Sequence, residues 1–329
     1  MSEPICVEHE DRFTMDPKVK AALNPKQTID IRDIIFSIHN RSHGDTLLIL
    51  NQEIDIPFAL FKYIWDARPL RVCADGAANR LFEFISKEPL AQLSDYVPNY
   101  IVGDLDSITE ETRDYYTKQG TKVIQQHSQY ATDFTKCIKV IRLHNQYASF
   151  PSEFNENLPN YGIDAEKGLL DMCESCQLST TDINVLAIGA IGGRFDQTIN
   201  AITELYNARR RVSEGVSLYF LTSTDMILLV PKDGTSIEYG SDDSFRDTLI
   251  GNCGLLPMGN KVTLRKTYGL KWDVSNWPSS IESGMVSSNN CFAALDECYM
   301  DADKDFVLNI EYFPKKVVSY LNHGKKTEE

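Results

Sequence analysis

The sequence is poor in positive charge. Its 329 residues include 33 lysines and arginines against 47 aspartates and glutamates, which gives a formal net charge of -14 and a pI near 4.9. Nucleic-acid binding rewards clustered basic side chains that neutralise phosphates, so this balance argues against a general nucleic-acid binder. An anionic ligand would need metal ions or local hydrogen-bond donors.

Long apolar runs are also missing. No stretch approaches the roughly 18 apolar residues of a membrane span. The opening residues, MSEPICVEHEDRF, are acidic and lack the basic end and apolar run of a secretory signal. These absences predict a soluble cytoplasmic protein that does not enter a membrane.

The eight cysteines do not form a disulfide framework. Cys73, Cys137 and Cys253 lie inside apolar runs, which indicates reduced thiols in a protein core. Cys173 and Cys176 form a C-x-x-C pair, but no second pair or histidine follows at zinc spacing. An ordinary helix or loop is therefore favoured over a metal or redox role.

Short apolar runs alternate with helical patterns from residue 46 onward. LRVCADG precedes AANRLFEFISK, and NYIVGDLDS precedes EETRDYYTKQG. This alternation is typical of an α/β domain with a mostly parallel, Rossmann-like sheet and flanking helices. Beyond about residue 235, no strong helix signal remains, and β-prone segments such as DFVLNIEYF predict a small antiparallel β domain, a sandwich or a barrel.

These patterns predict three regions. Residues 1–30 are polar without sustained periodicity and are interpreted as an N-terminal extension. Residues 31–234 form the α/β domain, with a surface insertion at 145–182 that is rich in Pro, Asn and Ser. Residues 235–329 form the β domain.

The stretch GDLDS, residues 103–107, brings two aspartates to the end of a predicted strand. In one interpretation Asp104 begins a turn and Asp106 or Ser107 caps the next helix. In the other, the strand continues to Asp106, and the two carboxylates point the same way because alternate strand residues share a face. A shared hard cation such as Mg²⁺ would then relieve their repulsion.

Polar groups also follow the other predicted strands, where ligands of open α/β sheets bind. Asp75 and Asn79 follow one strand. In QYATDFTKC, either Thr132 or Asp133 caps a helix whose exposed face carries Lys136, or Asp133 is a third metal carboxylate and Lys136 a point charge for phosphate.

The stretch GAIGGRFDQ is a glycine-rich turn into a helix, which suits a phosphate. It matches neither G-x-G-x-x-G nor the P-loop, so by itself the signal is weak. Arg194 and Asp196 are either a charged first turn or ligand-binding groups. In the β domain, Trp272 is either a core residue or a stacking surface for a flat or cationic ring.

In their order along the chain, these motifs resemble the thiamine pyrophosphokinase family, and GLKWDVSNWP together with the insertion looks most like fungal members. The resemblance covers about residues 45–320. The motifs that carry it are CADGAANRL, GDLDSI, Q-x-x-T-D-F-T-K-C, GGRFDQ, GLKW and VSSNN.

The resemblance implies an α/β nucleotide-binding catalytic domain followed by a thiamine-binding β-sandwich, in a homodimer with active sites at the subunit interface. The implied reaction moves pyrophosphate from ATP, the co-substrate, to the hydroxyl of thiamine with Mg²⁺, and yields thiamine diphosphate and AMP. Two alternatives remain, a haloacid-dehalogenase-like phosphatase that uses its D-x-D motif and a non-catalytic nucleotide-binding protein.

The resemblance also assigns residues to roles. Asn289 stands where relatives tend to have serine, so it is not carried over. The implied metal-binding and catalytic residues are Asp104, Asp106 and Asp133; those for the nucleotide are Asp75, Asn79, Gln129, Thr132, Lys136, Arg194 and Asp196; those for thiamine are Trp272, Ser287, Ser288 and Asn290.

Overall fold

The structure of the protein is a computed structural model. It describes residues 3–36, 44–127, 131–150, 169, 173–174, 178–211, 215–240 and 245–324. The chain divides into two compact units. The α/β unit comprises Asn40–Thr222, and the β unit comprises Met1–His39 with Ser223–Glu329.

The described helices and strands follow one another without long internal repeats. The strands are β1 (Ile5–Glu8), β2 (Gln27–Asp30), β3 (Asp45–Ile49), β4 (Leu70–Ala74), β5 (Tyr100–Gly103), β6 (Lys122–Gln125), β7 (Ile183–Ile188), β8 (Val216–Leu221), β9 (Asp225–Val230), β10 (Thr235–Glu238), β11 (Ile250–Leu256), β12 (Val262–Tyr268), β13 (Trp272–Ser279), β14 (Ser287–Cys291), β15 (Glu297–Ala302) and β16 (Phe306–Tyr312). The helices are α1 (Pro17–Ala22), α2 (Ile31–Phe36), α3 (Phe58–Ala67), α4 (Ala77–Ser86), α5 (Glu110–Lys118), α6 (Asp133–Gln146), α7 (Phe195–Arg210) and α8 (Pro314–Gly324).

The α/β unit is built on a parallel sheet with the strand order β6-β5-β4-β3-β7-β8. Every residue of β3 and of β5 is buried, as expected for strands covered on both faces. Helix α6 packs on β4 and β5, and α7 packs on β8. The predicted parallel α/β architecture with flanking helices is confirmed.

The β unit contains two sheets. The first has the order β1-β13-β12-β15-β10-β2, and the second has the order β9-β16-β11-β14. The pairs are antiparallel except for β2 with β10. Leu264 and Cys298 on the first sheet and Cys253 and Leu308 on the second are buried core residues. The prediction of an antiparallel β region at the C-terminal end is confirmed.

Residues 1–30 are not a tail, which corrects the interpretation made from their polarity. Strand β1 pairs with β13, and β2 pairs with β10. All four residues of β1 are exposed, since it is an edge strand, so the sequence shows no burial periodicity there. These strands exist because distant partners supply their backbone hydrogen bonds, and local patterns do not report such partners.

The unit boundaries also differ from the predicted ones. The α/β unit ends at Thr222 rather than 234, because β9 pairs with β16 and belongs to the β unit. It begins at Asn40 rather than 31. Helix α8 was not expected beyond residue 235.

The predicted insertion at 145–182 lies mostly outside the described residues. Helix α6 extends into it as far as Gln146. Cys176 of the C-x-x-C pair is also outside them. Among the helices that the structure describes, none has both the length and the apolar character to cross a membrane.

One buried carboxylate organises the turn between β12 and β13. Asp273 accepts hydrogen bonds from the Thr267 hydroxyl at 2.8 Å and from the backbone N–H groups of Gly269 at 2.9 Å and Leu270 at 3.1 Å. His9 Nε2 lies 3.1 Å from Asp273 Oδ2, so the same carboxylate holds the N-terminal segment. Burial raises the pKa of Asp273, while its hydrogen-bond donors lower it.

Removing this carboxylate should destabilise the β unit. We expect Asp273→Ala to lower the free energy of unfolding by about 3 kcal/mol, because buried N–H groups lose their acceptor. Urea unfolding followed by circular dichroism measures this. The control is Asp11→Ala, whose side chain is 83% exposed and contacts Lys271, and which should cost less than about 1 kcal/mol. Equal losses from both variants would contradict the assignment.

Candidate active site

Three carboxylates converge at the carboxyl edge of the parallel sheet. Asp75 follows β4, Asp104 follows β5, and Asp133 is the first residue of α6. Each contributes an oxygen, and these oxygens lie within 4.8 Å of one another. Three hard oxygen donors at this spacing fit a divalent cation such as Mg²⁺.

Asp75 holds the loop that carries Asp104. Its Oδ2 accepts from the backbone N–H of Ser107 at 3.0 Å, and its Oδ1 accepts from that of Ile108 at 3.1 Å. The residue is only 2% exposed and has a positive φ of 44°. This left-handed conformation is uncommon outside glycine and is one feature of sites under functional constraint.

Asn79 closes the same loop from α4. Its Oδ1 accepts from the backbone N–H of Thr109 at 3.1 Å, and its Nδ2 donates to the carbonyl of Ser107 at 2.9 Å. Both ends of the amide are thus engaged by the loop. Asn79 acts on the site by fixing the residues that follow Asp104.

Asp133 is positioned by the start of α6. Thr132 caps the helix, and its Oγ1 accepts from the backbone N–H of Thr135 at 3.3 Å. Lys136 Nζ donates to Asp133 Oδ1 at 2.9 Å, and Lys136 is 1% exposed. The interpretation with Lys136 on an exposed helix face is therefore wrong, because this ammonium is buried against the carboxylate cluster.

Gly103 makes room for the cluster. A Cβ at this position would lie 2.6 Å from Asp75 Cβ and 3.2 Å from Asp133 Cγ. No real side chain tolerates the first distance without movement. The glycine is required by this close approach and not by its backbone angles.

Burial makes the cluster costly to ionise. It raises the pKa of Asp75 to about 6, and the negative charges of Asp133 and Asp104 raise it further, while its two backbone donors lower it. Burial also raises the pKa of Asp133, whereas Lys136 lowers it. Because the folded-state pKa of Asp75 is raised, its ionisation costs folding free energy as the pH rises through 6. A bound cation would offset this cost.

Asp106 does not join the cluster, which corrects the strand argument made from the sequence. Strand β5 ends at Gly103, and Leu105 has a φ of 65°, so residues 104 and 106 do not alternate along a strand. Asp106 is exposed, and its Oδ1 accepts from the Ser107 hydroxyl at 2.9 Å. Asp75 supplies the third carboxylate instead.

A cleft of about 360 Å³ opens beside the carboxylates. Of the predicted residues, Asp75, Thr132, Asp133 and Arg194 line it. Asp196 is exposed and pairs with Arg194, with Arg194 Nη2 lying 2.6 Å from Asp196 Oδ2. Gln129 lies outside the described residues.

Four polar lining residues escaped the sequence reasoning. They are Asn51, Gln52, Gln197 and Asn200. Asn51 and Gln52 follow β3 as the other candidates follow their strands, so the same rule would have found them. Gln197 and Asn200 lie three and six residues after Arg194, which is the spacing of one helix face.

A second, apolar cleft lies in the β unit. It has a volume of about 150 Å³. Trp272 lines it and is partly exposed, so the core interpretation of this residue is wrong. Asn290 also lines it and pairs with the backbone of Trp272, accepting from its N–H at 3.1 Å and donating to its carbonyl at 2.9 Å. Ser287 lines the cleft, whereas Ser288 is exposed and does not.

Comparisons with known proteins agree with this geometry. Residues 61–216 match the family model of the thiamin pyrophosphokinase catalytic domain, and residues 245–306 match that of the thiamin pyrophosphokinase vitamin B1 binding domain. The thiamine pyrophosphokinase of Saccharomyces cerevisiae is 44% identical over 98% of this chain and 100% of its own length. The chain belongs to the thiamine pyrophosphokinase family.

Solved structures support the same assignment. The crystal structure of yeast thiamin pyrophosphokinase aligns with a TM-score of 0.87 at 42% identity, covering 96% of this chain and 99% of that one. The thiamin pyrophosphokinase of Candida albicans aligns with a TM-score of 0.78 at 33% identity, covering 95% and 100%.

Members of the thiamine pyrophosphokinase family transfer pyrophosphate from ATP to thiamine, and the predicted kinase activity is confirmed at this level. The phosphatase and non-catalytic alternatives find no support.

The role of Gly103 can be tested by adding one methyl group. We expect Gly103→Ala to cost about 1–3 kcal/mol of stability, because the methyl overpacks the space between Asp75 and Asp133. Urea unfolding measures this loss, and titration with Mn²⁺ should show weaker binding. The control is Gly251→Ala in β11, where the added Cβ meets the flexible end of Glu311. Unchanged stability and Mn²⁺ affinity in Gly103→Ala would contradict the packing argument.

Proposed function

We propose that Asp75, Asp104 and Asp133 hold Mg²⁺ against the polyphosphate of ATP in the adjoining cleft. The observation that carries this proposal is the convergence of three carboxylates at the carboxyl edge of a parallel sheet. The buried Lys136 positions Asp133. Asp106 stays a predicted ligand, since it lies on the same loop as Asp104.

The cleft around the cluster provides the groups for the nucleotide. Arg194 and the neutral side chains of Asn51, Gln52, Gln197 and Asn200 offer donors for phosphate oxygens or for the base. Bound Mg²⁺ neutralises charge on the polyphosphate. Transfer of this kind depends mainly on positioning and electrostatics, so the residues of this chain act by aligning ATP for attack on its β-phosphorus by the thiamine hydroxyl.

The apolar cleft of the β unit is proposed to bind thiamine. Thiamine carries a flat aminopyrimidine and a cationic thiazolium ring, and an aromatic side chain such as Trp272 suits both. Ser287 and Asn290 supply polar groups in the same wall. Ser288 is exposed beside them and stays a predicted contact.

We further propose a homodimer with active sites at the subunit interface, working in the cytoplasm. The resemblance of the motifs to the family supports the dimer. All cysteines in the described part of the chain are free thiols, which supports a reducing compartment.

The metal proposal predicts a specific loss of activity. Purified protein with ATP, Mg²⁺ and thiamine should form AMP and thiamine diphosphate in equal amounts, and EDTA should stop the reaction. We expect Asp104→Asn and Asp133→Asn to lower kcat at least about 100-fold, because each removes a carboxylate from the cation site. Mn²⁺ binding, followed by electron paramagnetic resonance, should weaken in parallel.

The control for this experiment is Asp114→Asn, an exposed carboxylate on α5, which should keep full activity. Circular dichroism checks that each variant is folded. Near-normal turnover in folded Asp104→Asn would overturn the metal proposal, and thiamine-independent release of phosphate would point to a different reaction.

The dimer proposal can be tested by mixing two defective chains. Asp104→Asn and Trp272→Ala should each be poorly active at low thiamine. If each active site takes residues from two protomers, a mixed dimer has one intact site and one doubly defective site. Free subunit exchange should then restore about a quarter of the wild-type activity. A mixture no more active than its separate components, or a monomer in sedimentation, would contradict the proposal.

A further inference from the structure

The apolar cleft of the β unit has one wall that lies outside the thiamine-binding family model. Nine of its ten lining residues fall within residues 245–306. The tenth is Cys6, in strand β1. The N-terminal segment therefore contributes to the cleft that the proposed function assigns to thiamine.

Strand β1 is held at this position by several contacts. It pairs with β13, so that Cys6 lies opposite Val274 and Glu8 lies opposite Trp272. The pairing continues beyond the strand, where the backbone N–H of His9 donates to the carbonyl of Lys271 at 2.8 Å. The contact between His9 and the buried Asp273 fixes the same segment by a side chain.

The register places Cys6 on the cleft side of the sheet. Residues directly opposite each other in an antiparallel pair share a face, and alternate residues of one strand do so too. Cys6 therefore lies on the same face as Val274 and Trp272, both of which line the cleft. Val7, the next residue along, lies opposite Asp273 and points to the other face.

We propose that β1 forms a wall of the thiamine site and that Cys6 sets the width of the cleft beside Trp272. This inference rests on the proposed assignment of the cleft to thiamine. The cleft is small, at about 150 Å³, so a larger side chain at residue 6 would occupy space that a substrate ring requires. A thiol is compact and weakly polar, which suits an otherwise apolar wall.

The test is a pair of bulky substitutions on opposite faces of one strand. We expect Cys6→Phe to raise the KM for thiamine about tenfold or more, because a pocket discriminates strongly against lost space. The KM for ATP and the kcat at saturating thiamine should stay within about twofold. The matched control, Val7→Phe, should leave all three constants unchanged, and the near-isosteric Cys6→Ser should stay close to the wild type.

A second measurement uses the unaltered full-length protein. N-ethylmaleimide should modify Cys6, which is exposed, and mass spectrometry of the peptide that carries Cys6 measures the rate. Thiamine should slow this modification, while ATP should not. This measurement does not depend on whether Cys6→Phe folds.

The outcomes separate the inference from the proposed function. If Trp272→Ala raises the KM for thiamine but Cys6→Phe does not, and thiamine gives no protection, then β1 is not part of the site. Equal effects of Cys6→Phe and Val7→Phe would also overturn the inference, since they would indicate a general disturbance of the strand. If Trp272→Ala leaves the KM for thiamine unchanged, the assignment of the cleft itself fails.

Discussion

The mutual repulsion of three buried carboxylates is the constraint on which this active site depends. Bringing Asp75, Asp104 and Asp133 within 4.8 Å costs folding free energy, as the raised pKa of Asp75 shows. The surrounding structure supplies what makes it possible. Gly103 leaves the space, Lys136 partly neutralises Asp133, and backbone N–H groups donate to Asp75.

The two units contain clefts of opposite chemical character. In the α/β unit, carboxylates, amides and Arg194 surround a polar cleft suited to a metal-bound polyphosphate. In the β unit, aliphatic side chains and Trp272 surround an apolar cleft suited to a flat cationic ring. Each follows from its scaffold, because parallel strands end in polar loops at one edge, whereas the space between β-sheets is lined by apolar residues.

The N-terminal segment shows where local patterns are a poor guide. Its first strand is exposed and short, and residues 1–30 as a whole are polar, so nothing in their periodicity indicates order. Pairing with β13 and the contact of His9 with Asp273 nevertheless fix it beside Trp272. A segment whose partners lie more than 250 residues away in sequence acquires its structure only from the completed sheet.

The sequence by itself determined the architecture and most of the site. The alternation of apolar runs with helical patterns predicted the parallel α/β unit, and polar residues after the strands of this sheet predicted Asp75, Asp104, Asp133, Thr132 and Arg194. These signals are local, because periodicity and strand ends are set by neighbouring residues. Tertiary structure decided the rest. It completed the carboxylate cluster with Asp75 and left Asp106 outside it, since the strand ends at Gly103. It also buried Lys136, exposed part of Trp272 and ordered β1, because each of these depends on packing between distant segments.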